Sequence, residues 1–166
     1  MACLQQLSGY LIPVKVIIDS IMDQIQAGDQ VVRFDTELTR QAYASLKDGD
    51  AERCGCVYCR NFAAQRETVY PEIFRRLLDQ IGIDFKKEGE VYECGADVLL
   101  RVYGGWFYFA GNLVEQVERL TDGGSGFQYH FVDAKHLPKA PADFGDNLAA
   151  VEFYTKAPWV LPEQPT

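Results

Sequence analysis

The sequence is short of basic residues, of histidine and of long apolar runs, and each shortage removes a class of function. Its 16 lysines and arginines are outnumbered by 24 aspartates and glutamates, for a formal net charge of -8. Phosphate binding needs a basic face, so nucleic acid is not an expected partner and a basic partner suits the charge better. No stretch approaches the roughly 20 apolar residues that cross a bilayer. The first residues also lack a basic segment leading into a long apolar run, and the expectation is a cytoplasmic chain with no membrane contact. There are only two histidines, His130 and His136, and no serine or carboxylate is spaced to form an obvious triad with His130. No internal repeat and no phosphate loop is visible.

What the chain does have is apolar and aromatic substance. Its 166 residues are 48% hydrophobic and 13% aromatic, enough for one domain with its own core and too little for two ordinary ones. We therefore expect a single globular domain over residues 1–166, irregular at both termini. Five cysteines are present, an odd number, and three of them crowd into Cys54-Gly-Cys56-Val-Tyr-Cys59. In a reducing compartment that pattern argues against a disulfide framework and toward free thiols or a metal site.

The apolar spacing predicts an α+β fold. A helix is favoured over residues 20–27, ended by Gly28, although Val14, Val16 and Ile18 also alternate as a strand would. Val31 to Phe34 reads as a strand, and Asp35 or Thr36 caps a helix to about Leu46. Lys47 to Asp50 is a loop delivering the chain to the cysteines. From residue 59 to 81 the period is helical, interrupted at Pro71, with Ile73, Phe74, Leu77, Leu78 and Ile81 forming an apolar stripe that Gly82 stops. The second half breaks into short aromatic or β-branched runs near 91–92, 98–103, 106–110, 127–132 and 151–155. Most of their connections are too short for crossover helices, which predicts an antiparallel sheet of four to six strands with helices packed on one face. Gly104-Gly105 reads as a tight hairpin or bulge, and the run from Asp122 to Gly126 as a flexible turn.

Three readings of the cysteines stay open. Cys56 and Cys59 have zinc-knuckle spacing, and Gly55 lets the backbone turn so that Cys54 can join them; the fourth zinc ligand would be Cys94, His130 or His136. A reactive thiol is the second reading, because Cys59 lies at a helix start beside Arg60, though the βαβ setting of a thioredoxin-like protein is missing. The third is that all three cysteines merely pack as small apolar side chains. Cys3 receives no role. Tyr103, Trp106 and Tyr108 belong to a strand apolar on both faces, which suggests a binding patch or a homodimer contact.

The run Cys54-Gly-Cys-Val-Tyr-Cys-Arg-Asn-Phe62, with Tyr70-Pro-Glu72, Leu77-Leu78, Tyr103-Gly-Gly-Trp106 and Val151-Glu-Phe-Tyr-Thr-Lys-Ala-Pro-Trp159, resembles a family of short uncharacterised bacterial proteins over about residues 31–161. The resemblance implies a compact bacterial cytosolic domain and carries no catalytic assignment. The favoured function is a non-enzymatic interaction or ligand-binding domain for a protein or small ligand, with a structural metal site at the cysteines. An acidic inhibitor or immunity-type protein for a basic partner is the alternative, and a thiol-redox or metal-dependent enzyme comes third.

Overall fold

A computed structural model describes residues 22–97, 99–115, 117 and 119–165. Residues 20 and 21, and Cys3, lie outside them. In chain order the elements are β1 (Asp23–Ala27), β2 (Gln30–Phe34), α1 (Thr36–Ser45), α2 (Asp50–Cys54), α3 (Val57–Val69), α4 (Glu72–Ile81), β3 (Glu90–Asp97), β4 (Leu100–Glu115), β5 (Thr121–Gly124), β6 (Phe127–Asp133), a short 3-10 turn (Ala134–His136) and β7 (Leu148–Pro158). The fold is α+β, and its antiparallel sheet has seven strands, more than the four to six expected. The order is β1-β2-β4-β7-β6-β5, with β3 also paired to β4.

Two strands outside the expected set, β1 and β5, raise the count, while the expected runs at 98–103 and 106–110 join into one strand, β4. Residues 23–27 form β1, not a helix, because Gly28 at φ 59° turns the chain into a hairpin that pairs Ile25 with Val32. Tertiary pairing overrides the helical spacing there. Thr121 to Gly124 is likewise the strand β5, and only Ser125 and Gly126 make the turn into β6.

The long central strand organises the rest. Along one edge β4 pairs with β7 from Leu100 to Ala110; along the other it serves β3 from Leu100 to Trp106 and β2 from Gly111 to Glu115. Gly104 and Gly105 are therefore neither hairpin nor bulge but the middle of β4. A Cβ on Gly104 would lie 2.5 Å from the Tyr92 ring, and one on Gly105 would lie 2.4 Å from the Glu90 carbonyl and 2.7 Å from Phe153. Glycine is what lets Tyr92 and Phe153 lie across the strand from opposite faces.

Between β3 and β2 the edge of β4 has a notch, and buried backbone groups there need partners. The Gly89 amide donates to the Trp106 carbonyl at 2.8 Å, the Tyr43 hydroxyl to the Tyr108 carbonyl at 2.8 Å, and the Asp35 amide to the Ala110 carbonyl at 2.9 Å; the Ala110 amide donates to the Thr39 hydroxyl at 3.1 Å. Helix α1, capped by Asp35 as expected, thus fills the notch. Its carbonyl end is closed by Lys87 Nζ, which donates to the carbonyls of Tyr43 and Leu46.

Helices α3 and α4 cover one face of the sheet. Phe62, Tyr70 and Phe74 meet Phe107, Phe127 and Phe153, with ring centroids 4.7 to 5.9 Å apart for the pairs Phe74–Phe127, Tyr70–Phe153 and Phe62–Phe153. Aromatic pairs at these separations add to what area burial alone contributes. Helix α4 buries Phe74, Leu77, Leu78 and Ile81 as its stripe predicts, but Ile73 is 69% exposed. The αL conformation of Gly82, at φ 94°, ends the helix where expected.

Candidate metal centre

The local sequence builds a tight corner around the sulfurs. Cys54 is the last residue of α2, Gly55 follows at φ 62° and sends its amide back to the Ala51 carbonyl, and Cys56 caps α3. The Cys56 sulfur accepts the Cys59 amide at 3.5 Å, doing for a cysteine what a serine side chain does at other N-caps. The result brings the three Sγ atoms within 4.8 Å of one another. Three ligands of one tetrahedral ion, with Zn–S bonds of about 2.3 Å, lie about 3.8 Å apart, so small side-chain rotations close the observed group around an ion.

The electrostatics fit a cation. Cys59 is buried and donates to the Val91 carbonyl at 3.8 Å; burial, then the neighbouring Cys54 and Cys56 sulfurs, push its thiol well above the ordinary value. Cys56 is exposed. Burial pushes its thiol up, but the Cys59 amide and hydrogen bonds from the Cys54 and Cys59 thiols outweigh that and hold it below the ordinary value. Three thiolates cannot share this corner unaided, because each raises the cost of ionising the next; a soft cation removes that conflict.

The expected fourth ligand is not brought in. Among the described residues, no other histidine, cysteine, aspartate or glutamate joins the group. Cys94 is exposed on β3, its thiol donating to the Val102 carbonyl at 3.4 Å. His136 belongs to the 3-10 turn. His130 Nε2 lies 2.8 Å from Glu152, which also accepts from the Tyr154 hydroxyl at 3.2 Å. This pair arises because β6 and β7 register His130 opposite Glu152, a juxtaposition that no sequence spacing reveals. The bond to His130, against the effect of burial, holds the Glu152 carboxyl below the usual range.

Tyr103, Trp106 and Tyr108 are core residues at 0%, 8% and 2% exposure, and they offer no open aromatic patch. The Tyr103 hydroxyl donates to the Tyr58 carbonyl and accepts from Asn61, while Tyr108 donates to the Pro138 carbonyl. Both parities of β4 are apolar because α3 and α4 pack on one side while Tyr92 and Phe144 contact the other, at Trp106 and Tyr108.

The rest of the cysteine motif is scaffolding. Asn61 is fully buried; its amide donates to the Tyr103 hydroxyl and the Pro158 carbonyl, and its carbonyl oxygen accepts the Val160 amide. Arg60 pairs with Glu163 at 2.6 Å. Together these hold the C-terminal segment beside the site.

A second set, unnoticed in the sequence, fixes α2 against α3. Arg66 is buried, and its guanidinium grips Glu52 at 2.7 and 2.9 Å on one edge and Glu88 at 2.6 and 3.0 Å on the other. The Tyr70 hydroxyl adds a third bond to Glu88. Burial pushes the Glu88 carboxyl up against the opposing pull of Arg66, whereas in Glu52 the bonds from Arg66 outweigh burial and hold the carboxyl below the usual range. Glu52 precedes Cys54 by two residues, so this fork sets where α2 delivers its sulfur. A signal existed: Arg66 follows Cys59 and Phe62 at helical spacing, on the face that packs inward, and a charge there demands partners.

The chain matches no family model, no curated protein and no solved structure. The corner of three sulfurs therefore has to be judged on its own chemistry.

Proposed function

We propose that the protein is a non-enzymatic domain of the bacterial cytosol that binds one zinc ion through Cys54, Cys56 and Cys59 and presents it to a protein or small ligand. The observation that carries this reading is the convergence of the three sulfurs within 4.8 Å at a surface corner, with two of the cysteines exposed. A soft N/S-binding ion suits the donor set, and three protein ligands leave one position for an outside group. The four described cysteines are free thiols, which suits a reducing compartment, and no helix among the described residues is long and apolar enough to cross a membrane.

The metal would be a local brace. The aromatic core between the sheet and α3 and α4 is complete without it, so metal loss loosens α2 and the first turn of α3 instead of unfolding the domain. The test is metal analysis of protein purified without added zinc, followed by thiol alkylation and amide exchange with and without a chelator. The reading requires about one zinc per chain, with the chelator exposing the three thiols to alkylation and the amides of residues 50–60 to exchange. Metal-free protein whose alkylation ignores the chelator would defeat it.

A further inference from the structure

We infer that the same corner is a thiol–disulfide switch, in which a small disulfide oxidises Cys56 and Cys59 to each other and so expels the metal. The inference rests on the zinc reading for its second half and on geometry alone for its first. Cys56 is exposed at the N-cap of α3; Cys59 is one helical turn further in, buried, with its amide already bonded to the Cys56 sulfur. An incoming disulfide therefore meets Cys56 first, and the sulfur behind it, within 4.8 Å, is in place to complete the exchange. Cys54 is less suited to the bridge, because a single glycine in the αL conformation separates it from Cys56.

The electrons balance without any further reagent. The Cys56 thiolate attacks one sulfur of the small disulfide, breaking its S–S bond and releasing one small thiolate. Cys59 then attacks the Cys56 sulfur of the mixed disulfide and releases the second small thiolate. Two electrons pass from the cysteine pair to the small disulfide, which ends as two thiols by taking up, through solvent, the protons that Cys56 and Cys59 give up on attack, or protons from water where the metal had already displaced them. Cys56 and Cys59 are then lost as ligands, and Cys54 alone does not hold the ion. Reduction by an excess of dithiol reverses the sequence.

The rest of the fold tolerates the change, since Cys56 is exposed and the bridge lies within one turn of one helix. Cys94 is a built-in comparison: it is an exposed thiol on β3 that, among the described residues, does not belong to the cluster, so a small disulfide caps it as a mixed disulfide that none of the three cluster sulfurs resolves.

The experiment treats the metal-analysed chain of residues 1–166 with oxidised glutathione. Peptide mapping by mass spectrometry locates the bonds, and a zinc-sensitive dye follows released metal. The expected result is a Cys56–Cys59 disulfide, zinc release in step with its formation, no glutathione retained on Cys56 or Cys59 while the exposed Cys54 and Cys94 are capped, and recovery with dithiothreitol and zinc. Cys59→Ser should stop at glutathione on Cys56. If that variant does not fold, Cys54→Ser, which leaves both partners in place, should still form the Cys56–Cys59 bridge, and its failure to do so would overturn the assignment of this pair. Zinc present at the outset with glutathione on Cys94 but no bridge would overturn the switch and leave the zinc reading standing. A bridge formed in protein that held no zinc at the outset would overturn the zinc reading and the expulsion, leaving only the exchange.

Discussion

Replacing Arg66 with methionine removes the one cation in a buried set that contains two carboxylates. Arg66 is 7% exposed and Glu88 fully buried, so the variant leaves the Glu88 carboxylate with the Tyr70 hydroxyl as its remaining side-chain donor among the described residues. Breaking a buried pair in this way costs about 3–5 kcal/mol, a large part of the roughly 5–15 kcal/mol that holds a domain folded. Glu52 stands at the exposed end of the fork, so Glu52→Gln should cost only about 0–1 kcal/mol, as surface pairs do. The double variant R66M/E88Q removes both charges and keeps an acceptor for Tyr70. It should therefore be more stable than additivity of the single variants allows, by about 0.5–3 kcal/mol. The pH dependence carries the same sign. Without Arg66, burial raises the Glu88 carboxyl further above its unfolded value, so R66M should gain stability relative to wild type as pH falls and lose it as pH rises. Urea unfolding followed by circular dichroism at several pH values measures all of this. A cost for R66M below about 1 kcal/mol, in the range of ordinary surface changes, or strict additivity in the double variant would refute the reasoning.

Leu77→Ala, on the buried face of α4, should cost about 2–5 kcal/mol in the same assay, and a cost under about 0.5 kcal/mol would contradict that helix's packing. Gly105→Ala should destabilise by about 1–3 kcal/mol, because its Cβ meets the Glu90 carbonyl and the Phe153 ring; a neutral result would contradict the register of β3 on β4. Glu152 has a carboxyl held below its ordinary value of 4.5, so its contribution is present above that pH and lost as pH falls through the depressed value. Glu152→Gln should accordingly flatten the fall in thermal midpoint between about pH 5 and 3, and an unchanged slope would speak against the His130–Glu152 bond.

The elements legible in the sequence were those with a strong period and a clear stop. The helix from Thr36 was marked by Asp35, the break at Pro71 by the fixed φ of proline, and the end of α4 by Gly82, each a local cue that the tertiary structure keeps. Residues 23–27 defeated the reading because their apolar spacing suits a helix, while Gly28 and the partner strand β2 make them a hairpin. The glycines of β4 imitate a turn for a related reason: what they make room for, Tyr92 and Phe153, comes from other strands. At the site, the cysteine corner could be seen because its parts are adjacent in sequence. The fork of Arg66 and the pair of His130 with Glu152 join residues 14 to 22 positions apart, and only the fold brings those together. Trp106 and Tyr108 read as surface because β4 is apolar on both faces, and what covers them, Tyr92 of β3 and Phe144, is placed beside them only by the fold.

Whether three sulfurs hold one ion with a position left open is read by X-ray absorption at the zinc edge on protein purified without added metal. The expected zinc shell is three sulfurs at about 2.3 Å and one lighter oxygen or nitrogen neighbour, lost together when Cys56 is replaced by serine and the protein is dialysed against a chelator. Protein that carries no zinc, or zinc surrounded by oxygen and nitrogen alone, would contradict it.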